Sequence, residues 1–385
     1  IDALVRMNQS MPKLASDSTR GAVFVLRADQ LSPESRNLLL ASARAILNGS
    51  GGTLTEQINR AREMKPGTPP PVKRAYPPGM AEAPLPNPPM EFFNSMGGFA
   101  KDGREYLTLL DGNQRTPAPW INVVANPSFG FITSTDGGGF TWSINAQQNA
   151  LTPWSNDPVS DSPGEILYVR DEETGELWTP TALPIRERHA PYTVAHGQGY
   201  TRFEHTSHGI ALELTQFVPK DDPVKISRLK ISNRSGRARR LSVAAYVEWV
   251  LGANRSATQS YVVTEIDAQS GAIFASNPWH EQFGERIAFC DLNGKQTAWT
   301  GDRTEFLGRD GALDFPRALA PGAILSNKTG AGMDPCGVLQ TPVRLNATGS
   351  TEIIFVIGQD ASRTEARALV AKYRAADLDA VFADA

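Results

Sequence analysis

Tryptophan, asparagine, aspartate and glutamate are concentrated between residues 126 and 181. A sugar-binding surface uses this mixture, because flat indole rings cover the apolar faces of pyranose rings while amides and carboxylates hydrogen-bond to hydroxyl groups. The tryptophans of this stretch are Trp142, Trp154 and Trp178, and we expect at least one of them to be exposed. The alternative is a series of turns between strands, with the tryptophans buried in the core.

Carboxylates crowd into residues 157–176 of the same stretch, namely Asp157, Asp161, Glu165, Asp171, Glu172, Glu173 and Glu176. A glycoside hydrolase needs two carboxyl groups that face each other across the scissile bond, one protonated and one ionised. Spacing along the chain does not show which side chains face each other, so a solvated hairpin end is the alternative. Arg170, next to Asp171, fits either an ion pair that holds the loop or a donor to a sugar hydroxyl.

Other kinds of chemistry lack their sequence signals. The five histidines show no metal-ligand spacing, there is no Gly-x-Ser-x-Gly nucleophile motif, and the glycines at 137–139 predict a hairpin end rather than a phosphate-binding loop. We therefore expect no metal and no cofactor. Cys290 and Cys336 are expected to be buried thiols, and the basic run at 234–240 is expected to be a solvated hairpin.

Charge and hydropathy narrow the range of partners. The formal net charge is −3. The chain therefore lacks the excess of basic residues that is typical of proteins that bind nucleic acid or an anionic membrane surface. The sequence contains no run of 18 apolar residues, so it predicts no transmembrane helix. We expect neither a nucleic-acid partner nor direct insertion of this chain into a membrane.

The elements that must position these residues follow a period of two from about residue 92 to about residue 358. Apolar and polar residues alternate in the segments 210–215 and 241–249, and turn signals such as His208-Gly209 and Asn293-Gly294 separate the candidate strands. Strands without intervening helices favour antiparallel sheets packed face to face. The prediction is a mainly β fold, a large antiparallel sandwich of roughly fifteen or more strands with short helical segments at both ends.

Both ends of the chain differ from this pattern. A strand at 21–27, a helix from Ser32-Pro33 to about residue 47 and a second helix after a capping box at Thr53 and Glu56 predict a small α/β segment at 1–65, the tail of a preceding domain. Ten prolines in 66–90 predict an extended linker. The sandwich domain then covers 91–360, and helical spacing after Ser362 predicts a helix over 361–385.

Several long motifs make the chain similar to a known family. They lie at 126–131, 141–143, 151–158, 168–176, 197–200, 202–205, 246–252 and 300–303. These motifs resemble the cyclic β-1,2-glucan synthases, in the C-terminal part that belongs to glycoside hydrolase family 94 with the cellobiose and chitobiose phosphorylases. The resemblance covers about residues 20–385.

The resemblance implies a β-super-sandwich of the galactose mutarotase-like type, followed by a helical linker and an (α/α)6 barrel that holds the general acid and the phosphate ligands. Residues 361–385 would begin that linker, and the barrel would be missing from this chain. Loops of the sandwich would reach an active site, often that of a partner subunit. By that likeness Arg170, Asp171 and Glu176, with Trp154 and Trp178, line a sugar subsite, and Trp142 and Asp157 complete the predicted substrate-binding set.

The predicted function is a carbohydrate-binding or structural sandwich domain of a glucan-synthesising protein, with no catalytic residue of its own. Its expected partners are β-glucan or an oligosaccharide, the downstream barrel and a second copy in a homodimer. The resemblance implies a cytoplasmic domain in a parent protein anchored in the bacterial inner membrane. Two alternatives stay open: a self-sufficient glycosidase that uses two carboxylates within 157–176, and a dimerisation module.

Overall fold

The computed structural model describes residues 26, 31–43, 46–47, 49–63, 88–111, 114–155, 157–188, 190–309 and 311–385. Contacts divide the chain into two compact units, Ile1–Ala75 and Tyr76–Ala385. The strand predicted at 21–27, apart from residue 26, and most of the proline-rich segment lie outside the described residues.

Two helices are described in the first unit. Helix α1 spans Pro33–Ser42, and its N-cap Ser32 accepts a hydrogen bond from the backbone of Ser35 at 3.2 Å. Helix α2 spans Leu54–Glu63. The capping box predicted for α2 is confirmed, because Glu56 accepts from the Thr53 backbone at 2.8 Å and Thr53 accepts from the Glu56 backbone at 3.3 Å.

The second unit is built from antiparallel strands. In the part of the chain that the structure describes, they are β1 Gly97–Ala100, β2 Glu105–Leu110, β3 Ile121–Ala125, β4 Phe129–Ser134, β5 Gly139–Ser143, β6 Glu165–Asp171, β7 Leu177–Trp178, β8 Tyr192–Gly197, β9 Tyr200–Ser207, β10 Ile210–Phe217, β11 Val224–Asn233, β12 Arg239–Glu248, β13 Val263–Ile266, β14 Ile273–Ser276, β15 Ile287–Asp291, β16 Ala298–Asp302, β17 Pro335–Leu345 and β18 Ser350–Asp360.

These strands form three sheets. The largest has ten strands in the order β1-β2-β8-β9-β10-β11-β18-β15-β14-β13, the second has the order β16-β17-β12-β6-β7, and the smallest has the order β3-β4-β5. One apolar core joins them, with Phe131 from the smallest sheet, Val243 from the second, and Leu212 and Leu229 from the largest. Successive residues of a strand point to opposite faces, so this core collects one face of each sheet. The predicted antiparallel sandwich is confirmed.

Short helices join or cover the sheets. They are α3 Arg255–Thr258, α4 Arg303–Leu307, the 3-10 turn Arg317–Leu319, α5 Arg363–Ala375 and α6 Leu378–Asp384. Helix α5 begins after Ser362 as predicted, and Ser362 accepts from the Glu365 backbone at 3.3 Å. Its Leu369 and Tyr373 pack into an apolar cluster with Phe217 of the largest sheet. Among the helices of the described ranges, none is long and apolar enough to cross a membrane.

The cysteines and the glycine-rich turn match the prediction. Cys290 and Cys336 are free and buried, and burial raises the pKa of both thiols well above the ordinary value. The glycines at 137–139 lie at the β4–β5 hairpin end. A Cβ atom on Gly138 would lie 2.3 Å from the Asp161 carbonyl oxygen, so this glycine lets the long β5–β6 connection approach the small sheet.

Candidate functional site

A groove lies between the three-stranded sheet and the β5–β6 connection, residues 144–164. Ile121 and Ile132 of the sheet line one part of it, and Trp154, Asp157 and Asp161 of the connection line the other. The cavity has a volume of about 210 Å³. We call it the Trp154 groove.

A row of aromatic rings forms one side of the Trp154 groove. Trp154 is 60% exposed and stacks on Phe140, with ring centroids 5.5 Å apart and planes inclined by 26°. The buried Phe140 ring in turn contacts the half-buried Trp142 at 5.4 Å. A Cβ atom on Gly130 would lie 2.5 Å from the Trp142 ring, so the missing side chain lets this indole lie against strand β4. The row fixes the exposed indole from beneath.

Two carboxyl groups with different environments face this groove. The exposed Asp157 accepts from the Ser160 hydroxyl at 2.7 Å and from the Val159 backbone at 2.9 Å, and these hydrogen bonds lower its pKa. Burial raises the pKa of Asp161, with a further contribution from the charge of Asp136. Asp161 also accepts a short hydrogen bond from the Ser134 hydroxyl, which acts in the opposite direction. One carboxyl group is thus readily ionised and the other holds its proton to higher pH.

The structure corrects the assignment of Asp171 to a sugar-facing surface. Asp171 is completely buried and accepts from the Arg239 guanidinium at 2.5 and 3.0 Å. Its other oxygen accepts from the Glu173 and Thr174 backbones at 2.7 and 3.1 Å. Burial alone would raise its pKa, but the bonds from Arg239 outweigh burial and the pKa is lowered. The predicted solvated hairpin at 234–240 is therefore wrong for Arg239, which is buried in this pair.

Trp178 needs the same correction. Its side chain has no exposed surface and lies against the His208 ring at 4.8 Å, in strand β7 at the edge of the second sheet. A buried indole offers no face to a sugar. The expectation that at least one of the three tryptophans is exposed is confirmed by Trp154 alone of the three.

Arg170 and Glu176 also act within the protein. The Arg170 guanidinium donates to the carbonyl oxygens of Leu319 and Ala320 at 3.2 and 3.1 Å and pairs with Glu172 at 2.5 Å. The structure thus supports an ion pair that holds the loop, with Glu172 as the partner of Arg170 in place of the adjacent Asp171. Glu176 lies 3.1 Å from a ring nitrogen of His208. The Trp154 groove thus brings together Trp154 and Asp157, with Trp142 behind them. The other four predicted residues lie in the β6–β7 hairpin and make contacts within the protein, namely Arg170, Asp171, Glu176 and Trp178.

Sequence reasoning missed two parts of the groove. Phe140 supports the exposed indole, and its place directly after the three glycines at 137–139 gave no sign of that role. Asp161 is one of the carboxylates in residues 157–176, but its position in the sequence did not show that it packs on Gly138. Among the described residues, no group of three or more His, Cys, Asp or Glu side chains has the geometry to hold a metal ion.

Comparison with known proteins places the chain in a family. The sequence profile described as "Glycosyl hydrolase 94, supersandwich domain" matches residues 104–376. The chain belongs to this family. The match covers strands of all three sheets and helix α5, so the family assignment and the antiparallel sandwich agree.

Curated relatives support the assignment. The cyclic beta-(1,2)-glucan synthase NdvB of Rhizobium meliloti (strain 1021) is 37% identical over 371 residues, which cover 94% of this chain and 13% of that protein. The solabiose phosphorylase of Paenibacillus borealis is 32% identical and covers 63% of this chain and 32% of its own length. The N,N'-diacetylchitobiose phosphorylase of Vibrio furnissii is 27% identical, covering 74% and 36%. The chain thus spans between 13% and 36% of the length of these relatives.

Proposed function

We propose that this supersandwich domain binds β-glucan through the Trp154 groove and is not catalytic by itself. The observation that carries the proposal is the 60% exposed indole of Trp154, held flat by Phe140 beside two carboxyl groups. An indole face offers dispersion contact to the apolar face of a pyranose ring, and the carboxylates accept hydrogen bonds from its hydroxyl groups. Similarity to a cyclic β-1,2-glucan synthase supports β-1,2-glucan as the sugar.

The carboxylates of the β6–β7 hairpin support a non-catalytic role. Asp171 pairs with Arg239, Glu172 with Arg170, and Glu173 with Arg237 at 2.7 Å. These pairs occupy all three carboxyl groups, and the arginine bonds lower the pKa of Asp171 and of Glu173, whereas a general acid must hold a proton near neutral pH. The reactive acid would come from the downstream (α/α)6 barrel that the resemblance implies.

The same resemblance supports the larger setting of the domain. In the parent protein, this domain would assist the building or trimming of glucan chains, in the cytoplasm and next to an inner-membrane anchor. A homodimer is the further partner that we propose. Strand β3 is an edge strand whose Ile121 and Val123 are 53% and 54% exposed, which supports a self-association surface there.

Isothermal titration calorimetry with linear β-1,2-glucan tests the proposal. Trp154→Ala should weaken binding at the groove by about tenfold or more, as removal of a central aromatic anchor does. Trp154→Phe keeps an aromatic face and should retain most of the affinity. Phe315→Ala is the matched control, since Phe315 is an exposed aromatic residue (54%) outside the groove.

Two results would count against this function. If Trp154→Ala binds glucan at the groove as tightly as the wild type, the Trp154 indole does not contribute to binding there. Turnover of glucan by the purified chain, with phosphate or with glucose 1-phosphate, would contradict the non-catalytic role.

A self-sufficient glycosidase is the second candidate, and one observation favours it. Asp157 and Asp161 share the Trp154 groove, and their environments move the two pKa values in opposite directions, as an acid and base pair requires. This candidate predicts that the chain hydrolyses β-1,2-glucan without phosphate and that Asp161→Asn abolishes the hydrolysis. Release of reducing ends, measured for the wild type and for Asp161→Asn, decides between the two candidates.

A further inference from the structure

A second aromatic cleft lies at the β14–β15 connection, residues 277–286. Tyr261 and Trp279 line it and are 46% and 76% exposed, with ring centroids 5.8 Å apart and planes inclined by 42°. Gln148, His280 and Gln282 are among the other residues that line this cavity of about 440 Å³. We call it the Trp279 cleft. None of these residues lines the Trp154 groove.

The backbone that carries the Trp279 cleft is fixed by hydrogen bonds that the side chains of Asn277 and His280 make. Asn277 donates to the Leu251 carbonyl at 2.9 Å and accepts from the Trp279 backbone at 3.3 Å. His280 accepts two backbone bonds at Nδ1, from Gln282 at 3.3 Å and Phe283 at 3.2 Å.

These two bonds place the ring proton of His280 on Nε2, which donates to the Gln148 carbonyl at 2.9 Å. The imidazole therefore joins the β14–β15 connection to the β5–β6 connection. Both walls of the cleft are held in place before a ligand arrives, which lowers the entropic cost of binding.

The chemistry of the lining selects the class of ligand. Two exposed aromatic faces suit a ligand with a flat apolar face, and the exposed amides of Gln148 and Gln282 both donate and accept hydrogen bonds. Glu281 adds a carboxylate, and no Lys or Arg is among the described residues that line the cleft. A phosphorylated or otherwise anionic ligand would meet no positive charge there, whereas a neutral sugar would find its apolar and hydroxyl partners.

We propose that the Trp279 cleft is a second subsite for a neutral pyranose unit, separate from the Trp154 groove. The choice of glucan as its ligand rests on the proposed function, while the cleft itself rests on its own residues. The β5–β6 connection carries Gln148 at one site and Trp154 at the other. The domain thus presents sugar-binding surfaces on two sides of one connection.

Indole resonances of the full chain test the two sites separately. The seven tryptophans are labelled with 15N, and the signals of Trp154 and Trp279 are assigned by Trp154→Phe and Trp279→Phe. A linear β-1,2-glucan oligosaccharide is the probe, and tetramethylammonium is the competing cationic probe. The oligosaccharide should shift the Trp279 signal in a saturable manner, in the wild type and also in Trp154→Ala.

Substitutions then show which group makes the contact. Tyr261→Ala should weaken the response at Trp279 by about tenfold, and Tyr261→Phe, which keeps the ring, should restore it. A Trp279 signal that stays fixed while the Trp154 signal shifts would overturn the second subsite and leave the proposed function standing. A response to tetramethylammonium without one to the oligosaccharide would overturn the assignment to a sugar. Fixed signals at both indoles would overturn both proposals.

Discussion

Acid should destabilise this domain through two histidines that fold in the neutral form. His205 is 1% exposed and stacks on Tyr192 with ring centroids 3.9 Å apart. Its Nδ1 donates to the Pro191 carbonyl at 3.1 Å, and its buried Nε2 has no hydrogen-bond partner among the described residues. Burial lowers the pKa of His205 to about 4. Burial likewise lowers the pKa of His196, whose Nε2 donates to the Trp120 carbonyl, to about 4.

The sign of the effect follows from which state takes up the proton. Between the ordinary value of 6.5 and a folded value of about 4, the unfolded chain binds protons that the folded chain refuses. The free energy of unfolding therefore falls as pH falls through that window. From pH 7 to pH 5 the loss is about 2 kcal/mol for each histidine, since each pH unit well below 6.5 contributes about 1.4 kcal/mol.

His208 acts in the opposite direction. Burial alone would lower its pKa, but its bond to Glu187 and the charge of Glu176 outweigh burial and raise it. A raised pKa contributes stability that is fully present below 6.5 and is lost as pH rises through the folded value. A wild-type titration alone would therefore mix the two effects.

A variant separates them. His205→Gln removes one titrating ring and leaves the other groups in place, so the loss of stability between pH 7 and pH 5 should be about 2 kcal/mol smaller than in the wild type. Urea unfolding at both pH values, followed by tryptophan fluorescence, gives the two differences. An equal loss in wild type and His205→Gln would refute the assignment of a buried neutral ring to His205.

Two further substitutions probe the packing around the groove and the hairpin. Arg239→Ala leaves the completely buried Asp171 carboxylate without its partner and should lower the free energy of unfolding in urea by about 3–5 kcal/mol. Arg237→Ala, at an exposed pair, should lower it by less than about 1 kcal/mol. Equal losses in the two variants would contradict the importance of the buried pair. Gly138→Ala places a methyl group 2.3 Å from Asp161 and should displace the β5–β6 connection, which weakens glucan binding measured by calorimetry. The control is Gly330→Ala, where a Cβ atom would meet only the Met333 side chain at 3.6 Å, and it should weaken binding less. Unchanged binding in Gly138→Ala would show that this approach does not shape the groove.

The strands could be predicted because their local signals agree. The alternating segment predicted at 210–215 lies within β10, and His208-Gly209 forms the β9–β10 turn with φ values of 54° and 72°. Two positive φ values in a two-residue turn match the right-handed twist of a hairpin. Helix α1 ends at Ser42, short of the predicted 47, and the Ser42 hydroxyl donates to the Leu38 carbonyl at 2.9 Å. A serine that bonds back to the preceding turn competes with further helix.

The errors at Asp171 and Trp178 have a different origin. Strand β6 is covered on both faces, because Val169 packs into the main core and Tyr168 into a second apolar cluster. Alternation therefore does not mark a solvent face there. The register that sets Leu241 of β12 opposite Asp171, and so brings Arg239 to it, depends on a strand distant in the sequence. Local patterns carry no information about that pairing.

The positions of four tryptophans in the fold explain why two are buried and two are exposed. Trp178 and the completely buried Trp249 lie in or directly after strands, where the sheets cover them. Trp154 and Trp279 lie in connections and remain 60% and 76% exposed. An exposed indole does not contribute the roughly 3 kcal/mol of folding free energy that its burial would give, and the large core stabilises the domain without it. Ring contacts hold both exposed indoles without covering them, so a ligand with an apolar face can still gain this burial energy.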